Sequence, residues 1–218
     1  MAQNKNFKEL LADVEAIVFD VDGVMTDGGI IPLADGDFIR KYYAKDGYAL
    51  AYAASHGFNI GVISGGFGKT LESRMNRLHI EHYYLGCMDK IAAIDDFIAK
   101  TGVKRENVIY MGDDIPDLEV LRHVGIPVAP ADACSEVLQA AMYVSEYKGG
   151  EGAVRDIIEQ VLRVKGIWAL DSKGVIPQDM KEVASREYAG DRAQIFDHQR
   201  VVARGCESFD AYRARLSV

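Results

Sequence analysis

Short apolar segments rich in Val, Ile and Tyr alternate along the chain with segments of helical periodicity, and this alternation restricts the fold more than any other feature. The apolar segments are residues 16–19, 59–63, 82–85, 108–111 and 143–145. Between them, apolar side chains recur every three to four positions in residues 47–56, 68–78, 90–100, 116–122 and 152–164. Alternating strands and helices favour a parallel sheet covered by helices. The sequence therefore predicts an α/β fold with a doubly wound, Rossmann-like parallel sheet.

Size and charge exclude several classes of protein. A chain of 218 residues with 49% hydrophobic residues can bury one sizeable core, so one domain with appendages is expected. The net charge of −8 gives no general attraction to nucleic acids or anionic membranes. No segment has the length and apolar character of a membrane span or a signal peptide. The predictions are a cytosolic location, with no nucleic-acid or membrane partner, and reduced cysteines at Cys87, Cys134 and Cys206.

Residues 28–43 interrupt the alternation. Asp35-Gly36 stands there between two strand-like runs, which predicts a protruding β-hairpin. Because the hairpin carries more apolar residues than a solvated one needs, we expect it to pack on a neighbouring subunit, with packing on its own domain as the open alternative. Beyond residue 166 the periodicity weakens, so the prediction is a domain at 1–166 and a tail at 167–218 without an assigned role.

Carboxylates follow the first strand and a later one. Asp20 and Asp22 come directly after residues 16–19, at the end of the sheet where open α/β folds bind ligands. The first acid could bind a cation and attack, and the second could carry a proton. Alone, the Asp-x-Asp-Gly pattern fits a turn or a helix cap equally well.

The later group comprises Asp113, Asp114 and Asp117. Helix capping explains one or two of these acids, but not three. Five acids at adjacent strand ends would repel one another without a cation, and an all-oxygen cluster favours Mg²⁺ over Ca²⁺.

Two other strand ends carry groups that could bind phosphate. Ser64 and Gly65 begin a loop of small residues after residues 59–63 that could donate hydrogen bonds to a phosphoryl group, or form a simple turn. Lys90 opens a helix and could neutralise both the phosphate and a nucleophile, although a lone lysine at a helix start is usually exposed to solvent.

The order Asp-x-Asp, Ser, Lys and Gly-Asp-Asp-x-x-Asp, at the ends of successive strands, resembles the four motifs of the haloacid dehalogenase superfamily of phosphohydrolases. The resemblance covers residues 14 to about 120. It implies that Asp20 attacks phosphorus to form an aspartyl-phosphate and that Asp22 acts first as acid and then as base. It implies Mg²⁺ at the Asp20 carboxylate, the Asp22 main-chain carbonyl and Asp113. The implied supporting residues are Asp114 near the metal, Asp117 as the residue that orients Lys90, and Ser64, Gly65 and Lys90 on the phosphate.

The chain leaves no room for the cap domain found in many members. Within the superfamily, residues 14–166 resemble the short, capless phosphatases of acidic sugars, above all those acting on 3-deoxy-D-manno-octulosonate 8-phosphate in lipopolysaccharide precursor synthesis. This resemblance implies a homotetramer assembled through the hairpins, with active sites at subunit interfaces. It also implies that a small phosphorylated sugar acid is bound by Lys45, Lys69, Arg74 and Arg155, although Lys69 and Arg74 also fit a solvated helix face.

Gly66 conflicts with part of this pattern. Many octulosonate phosphatases have a basic residue at this position, whereas phosphatases of a nine-carbon ulosonate 9-phosphate have glycine. Lys69, Glu72 and Arg74 follow the octulosonate pattern, and the nine-carbon substrate is the alternative. The alternatives from other classes are a phospho-accepting receiver domain, which has no acid two residues beyond its phosphorylated Asp, and a non-catalytic oligomerisation module.

Overall fold

Six parallel strands form the central sheet of the computed structural model, which describes residues 6–169. The strands within this range are β1 (Ala16–Phe19), β2 (Thr26–Pro32), β3 (Phe38–Tyr42), β4 (Asn59–Ile63), β5 (His82–Tyr84), β6 (Val108–Met111), β7 (Ile126–Ala129) and β8 (Tyr143–Val144). The helices are α1 (Phe7–Leu10), α2 (Ala44–Ser55), α3 (Lys69–Arg77), α4 (Lys90–Thr101), α5 (Leu118–His123), α6 (Ser135–Ala140) and α7 (Ala153–Val164).

The strand order is β5-β4-β1-β6-β7-β8, with β1 in the centre. From β1 the chain first adds strands on one side and then on the other, so the predicted doubly wound α/β fold is confirmed. In β1, Ile17 and Phe19 pack with α2, α3 and α7, whereas Ala16 and Val18 pack with α4, α5 and α6. A strand buried on both faces is apolar throughout, which is why β1 is recognisable in the sequence. The carboxyl ends of β1, β4 and β6 meet at the point where the winding direction changes.

The predicted element limits are correct for β1, β4 and β6. Helix α2 begins at Ala44, about one turn before the predicted start at Gly47. The sequence does not predict β7, because Pro127 and Pro130 disfavour a strand. Pro127 nevertheless lies opposite Tyr110 in the parallel β6–β7 pair.

The hairpin of β2 and β3 has one face on the protein and one in solvent. Phe38 and Tyr42 are half-buried and the Arg40 side chain is buried, while Ile39 is 48% exposed. Ile31, opposite Ile39 in the hairpin, is 61% exposed. The hairpin therefore packs on its own domain through one face, and its outer face is apolar and solvent-exposed in the single subunit.

Between Asp20 and Ser64 the described chain contains only the hairpin, α2 and β4, and between Ser64 and Lys90 only α3 and β5. These segments hold no cap domain. Ile167 still contacts the domain, since its carbonyl accepts a hydrogen bond of 2.8 Å from the Tyr52 hydroxyl. The remainder of the predicted tail, from residue 170, lies outside the described residues. Among residues 6–169, no helix is long and apolar enough to cross a membrane.

Candidate active site

The loop after β1 holds Asp20 and Asp22 in a tight turn. The Asp20 amide donates to the Met111 carbonyl at 3.0 Å, which ties this loop to β6. The Val21 carbonyl accepts hydrogen bonds from three later amides of the same turn, those of Val24, Met25 and Thr26. Asp20 is 9% exposed, so its carboxylate lies at the floor of the site.

Gly23 lets Asp113 approach this loop from the end of β6. A Cβ atom at Gly23 would lie 2.0 Å from Asp113 Oδ2, and the φ of Gly23 is +87°, where side-chain-bearing residues are disfavoured. The two glycines at 149 and 150 pack on the other side of the loop, where a Cβ at Gly149 would lie 1.8 Å from the Gly23 carbonyl oxygen. The loop is thus enclosed between Asp113 and the segment that precedes α7.

Lys90 is buried at the start of α4 and contacts two carboxylates. Its Nζ lies 3.2 Å from Asp20 Oδ2 and 2.7 Å from Asp117 Oδ1. The buried Tyr110 hydroxyl donates to the same Asp117 oxygen at 2.6 Å, and the amide of Asp113 donates to Asp117 Oδ2 at 3.0 Å. Asp117 is therefore fully hydrogen-bonded, and it holds Lys90 beside Asp20.

The electrostatics of this group follow from burial. Burial, with repulsion from Asp117, raises the pKa of Asp20 to about 7, although Lys90 acts in the opposite direction. Burial, with repulsion from Asp20 and Asp117, raises the pKa of Asp113 to about 7. For Lys90, burial lowers the pKa, but the two facing carboxylates outweigh it and the net shift is upward. Lys90 therefore stays protonated. Its single positive charge does not neutralise the carboxylates of Asp20, Asp113 and Asp117.

The donor set fits a hard divalent cation. Carboxylate oxygens of Asp20, Asp113 and Asp117 lie within 4.8 Å of one another. Because Asp117 is occupied by its hydrogen bonds, Asp20 and Asp113 are the carboxylates available to a metal ion. All-oxygen ligands of this kind suit Mg²⁺ better than they suit soft transition metals.

The loop after β4 completes the cleft. Ser64 is 1% exposed, and its Oγ accepts a hydrogen bond of 3.0 Å from the Gly66 amide. The predicted residues of the centre line one cleft of about 400 Å³: Asp20, Asp22, Ser64, Gly65, Lys90, Asp113, Asp114 and Asp117. Asp114 is exposed at the rim, and its amide donates to Asp117 Oδ2 at 3.4 Å.

The predicted sugar-binding residues lie outside this cleft in the single subunit. Lys45 and Arg155 line a separate cavity of about 270 Å³ beside α7. Lys69 is exposed at the first turn of α3. The Arg74 guanidinium lies 4.9 Å from the centre of the Tyr42 ring, so it contacts the hairpin.

Arg40 contacts the site although the sequence does not predict a role for it. This residue on β3 is paired with Asp22: Nε lies 2.7 Å from Oδ1, and Nη2 lies 3.1 Å from Oδ2. The alternation of side chains along β3 could have indicated this contact, because it places Arg40 on the same face as Phe38 and Tyr42. A charged residue on the inward face of a strand needs a buried partner. Tyr110 is also missed, because its strand reads as ordinary apolar core.

Comparisons with known proteins identify similar chains. A family model described as haloacid dehalogenase-like hydrolase matches residues 68–158. The curated 3-deoxy-D-manno-octulosonate 8-phosphate phosphatase of Yersinia pestis is 38% identical over 151 residues, which cover 69% of this chain and 81% of that protein.

Solved structures of such phosphatases are also similar. The crystal structure of the Yersinia pestis phosphatase has a TM-score of 0.71 at 36% identity and covers 73% of this chain and 86% of its own. The structure of the Moraxella catarrhalis 3-deoxy-D-manno-octulosonate 8-phosphate phosphatase, in complex with magnesium ion, phosphate ion and KDO molecule, has a TM-score of 0.70 at 28% identity. It covers 74% of this chain and 94% of its own.

Proposed function

This chain belongs to the haloacid dehalogenase-like hydrolases and is a phosphoric monoester hydrolase, and on that premise we propose that it converts 3-deoxy-D-manno-octulosonate 8-phosphate to the free sugar acid and phosphate. This step belongs to lipopolysaccharide precursor synthesis. The observation that carries the proposal is the buried contact of Lys90 with Asp20 and Asp117, in a cleft that also holds Asp113 and Ser64. The names of the similar proteins supply the substrate.

We propose Mg²⁺ as the cofactor, held by the carboxylates of Asp20 and Asp113 and by the main-chain carbonyl of Asp22. When bound, Mg²⁺ supplies positive charge that stabilises the phosphoryl oxygens in the transition state. The raised pKa values of Asp20 and Asp113, which result from burial and mutual repulsion, are those of acids that lack a counter-charge.

In the first half-reaction, an Asp20 carboxylate oxygen forms a bond to phosphorus while the bond from phosphorus to the sugar oxygen breaks. Asp22 gives its proton to the departing oxygen, which leaves as an alcohol. Lys90 neutralises charge on the nucleophile and on the transferring group, and the Ser64 and Gly65 loop holds a phosphoryl oxygen. The product is an aspartyl-phosphate at Asp20.

In the second half-reaction, water attacks phosphorus and gives a proton to Asp22. The bond between phosphorus and the Asp20 oxygen breaks, which releases inorganic phosphate and regenerates both carboxyl groups in their starting forms. Asp117 acts indirectly, because it keeps Lys90 beside Asp20 through a hydrogen bond of 2.7 Å.

We also propose that the sites are completed in a homotetramer. Among the described residues that line the cleft, Lys90 is the one basic side chain, and the nearby guanidinium of Arg40 is already paired with Asp22, so a substrate carboxylate needs a cation from elsewhere. The outer hairpin face, with Ile30 at 47% and Ile31 at 61% exposure, is suited to subunit contact. Lys45 and Arg155 would then serve a neighbouring subunit's cleft.

Subunit mixing tests this assembly. Asp20→Asn and Arg155→Ala variants, each inactive alone, are combined under conditions that exchange subunits. If neighbouring subunits share a site, about a quarter of the sites recover in an equal mixture. A mixture that exchanges subunits and stays inactive would show that Arg155 serves its own subunit.

The substrate itself is tested by kcat/KM for eight-carbon and nine-carbon ulosonate phosphates with Mg²⁺. We expect a preference of at least ~10-fold for the eight-carbon ester. A preference for the nine-carbon ester would reject the substrate and leave the chemistry in place. If neither ester released phosphate, both the proposed substrate and the proposed chemistry would be rejected.

A further inference from the structure

The ion pair of Arg40 and Asp22 joins the hairpin to the centre of the site. The Arg40 side chain is 3% exposed, and its Nε and Nη2 each donate to one oxygen of Asp22. Such a two-point contact fixes the plane of the carboxylate as well as its position. The third guanidinium nitrogen, Nη1, is buried and has no hydrogen-bond partner among the described residues.

Stability alone does not account for this arrangement. Burying a charged pair costs desolvation energy, and an unsatisfied buried nitrogen adds to that cost. The hairpin already has another attachment, in which Asp37 accepts hydrogen bonds of 3.0 Å from the Thr70 amide and 2.9 Å from the Thr70 hydroxyl. Attachment of the hairpin alone therefore does not explain why a charged Arg40 is buried here.

Gly66 makes the space that Arg40 occupies. A Cβ atom at Gly66 would lie 2.6 Å from Arg40 Nη2, 3.1 Å from Asp22 Oδ2 and 3.2 Å from Ser64 Oγ. Gly66 does not have the positive φ that requires glycine elsewhere in the chain. The steric reason for glycine at this position is therefore the guanidinium of Arg40 and its carboxylate partner.

We propose that Arg40 is the positioning residue for Asp22 and that Gly66 is its matched partner, the position that must lack a side chain for Arg40 to reach the carboxylate. The inference rests on the proposed function, since it assigns Arg40 to the residue that exchanges protons with the sugar oxygen and with water. It also gives glycine at position 66 a reason within this chain, independent of whether the sugar has eight or nine carbons.

The test compares Arg40→Met with Asp37→Ala, which removes a different attachment of the hairpin and leaves Asp22 untouched. We expect Arg40→Met to lower kcat for the sugar phosphate by on the order of 10²-fold with little change in KM, since misplaced proton transfer affects the chemical step. Asp37→Ala should keep kcat within ~3-fold. Equal losses in the two variants would overturn the inference, because they would reduce Arg40 to a tether.

A second readout separates proton transfer from general damage. With enzyme in excess over p-nitrophenyl phosphate, p-nitrophenolate leaves without needing a proton. Its single-turnover release by Arg40→Met should stay within ~3-fold of the wild-type rate while sugar phosphate turnover falls. A parallel fall with both substrates would overturn the inference.

Gly66→Ala provides an independent variant that does not require Arg40→Met to fold. It should lower kcat, and the loss in the double variant should be smaller than the product of the two single losses, because the closest contact of the added methyl group is with Arg40 Nη2. Additive losses would overturn the pairing. A wild-type chain without phosphatase activity would overturn the proposed function and this inference with it, whereas an active wild type with additive losses would overturn this inference alone.

Discussion

Asp20 and Asp22 are two residues apart in sequence, but different parts of the molecule hold them. Asp20 is buried among elements of the central sheet and contacts Lys90 at the start of α4. The Asp22 side chain is 25% exposed and is held by Arg40 from the hairpin, outside the sheet. The proposed nucleophile is thus held by the core of the fold, and the proposed acid/base is held by the hairpin. We call Asp20, Ser64, Lys90, Asp113 and Asp117 the Asp20 half of the site. Substitutions in the Asp20 half should affect stability, metal binding and turnover together.

The largest effect is expected from Lys90→Met, which removes the cation that contacts Asp20 and Asp117. It leaves Asp20 and Asp117 facing each other without a cation in a buried site. We expect kcat to fall by ~10³-fold and the free energy of unfolding to fall by about 3 kcal/mol. Turnover and denaturant titration measure the two effects.

Lys100→Met is the matched control on the same helix. Lys100 pairs with Asp96 at 2.6 Å in an exposed i, i+4 contact, which should contribute nothing measurable to stability or turnover. If both methionine variants behaved alike, the assignment of Lys90 to the site would fail.

Gly23→Ala tests the proposed metal ligands, Asp20 and Asp113. The added methyl group would collide with the Asp113 carboxylate, so the dissociation constant for Mg²⁺ should rise by at least ~10-fold. Gly36→Ala is the control, because Gly36 has a φ of +88° but nothing within 4 Å of its Cβ position. Calorimetric titration with Mg²⁺ distinguishes the two, and similar weakening in both would point to backbone strain instead of Asp113.

A smaller effect is expected from pH. In the metal-free chain the pKa values of Asp20 and Asp113 are raised to about 7 by burial and repulsion. Protons then compete with Mg²⁺ below pH 7, so affinity should increase on the order of 10-fold from pH 6 to pH 8, with proton release on binding. Equal affinity at the two pH values would mean that these carboxylates are not the ligands.

The sequence is sufficient to find the Asp20 half of the site, because its residues stand at the ends of strands that are apolar enough to recognise. Asp113, Ser64 and Lys90 are identified in this way, and the sheet brings them together. The Arg40 contact is not found, since it depends on how the hairpin folds back over the loop after β4. The strand β7 is missed for a related reason, because Pro127 argues locally against a strand that tertiary pairing with β6 stabilises.

The smallest effect is expected from Tyr110→Phe, which tests whether Asp117 must be held in place to position Lys90. Loss of the hydroxyl removes a hydrogen bond of 2.6 Å to Asp117 and loosens Lys90. We expect kcat to fall by ~3- to 10-fold and stability by about 1–2 kcal/mol. Tyr143→Phe removes a similar bond to Asp156 outside the cleft, and should lower stability without changing kcat.

Trapping of the covalent intermediate tests directly whether Asp20 is the nucleophile. Wild-type protein is acid-quenched during turnover, treated with hydroxylamine and analysed by peptide mass spectrometry. If Asp20 is the nucleophile, a hydroxamate forms at Asp20 in the wild type and none forms in Asp20→Asn. A hydroxamate at another residue, or an Asp20→Asn variant with full turnover, would contradict it.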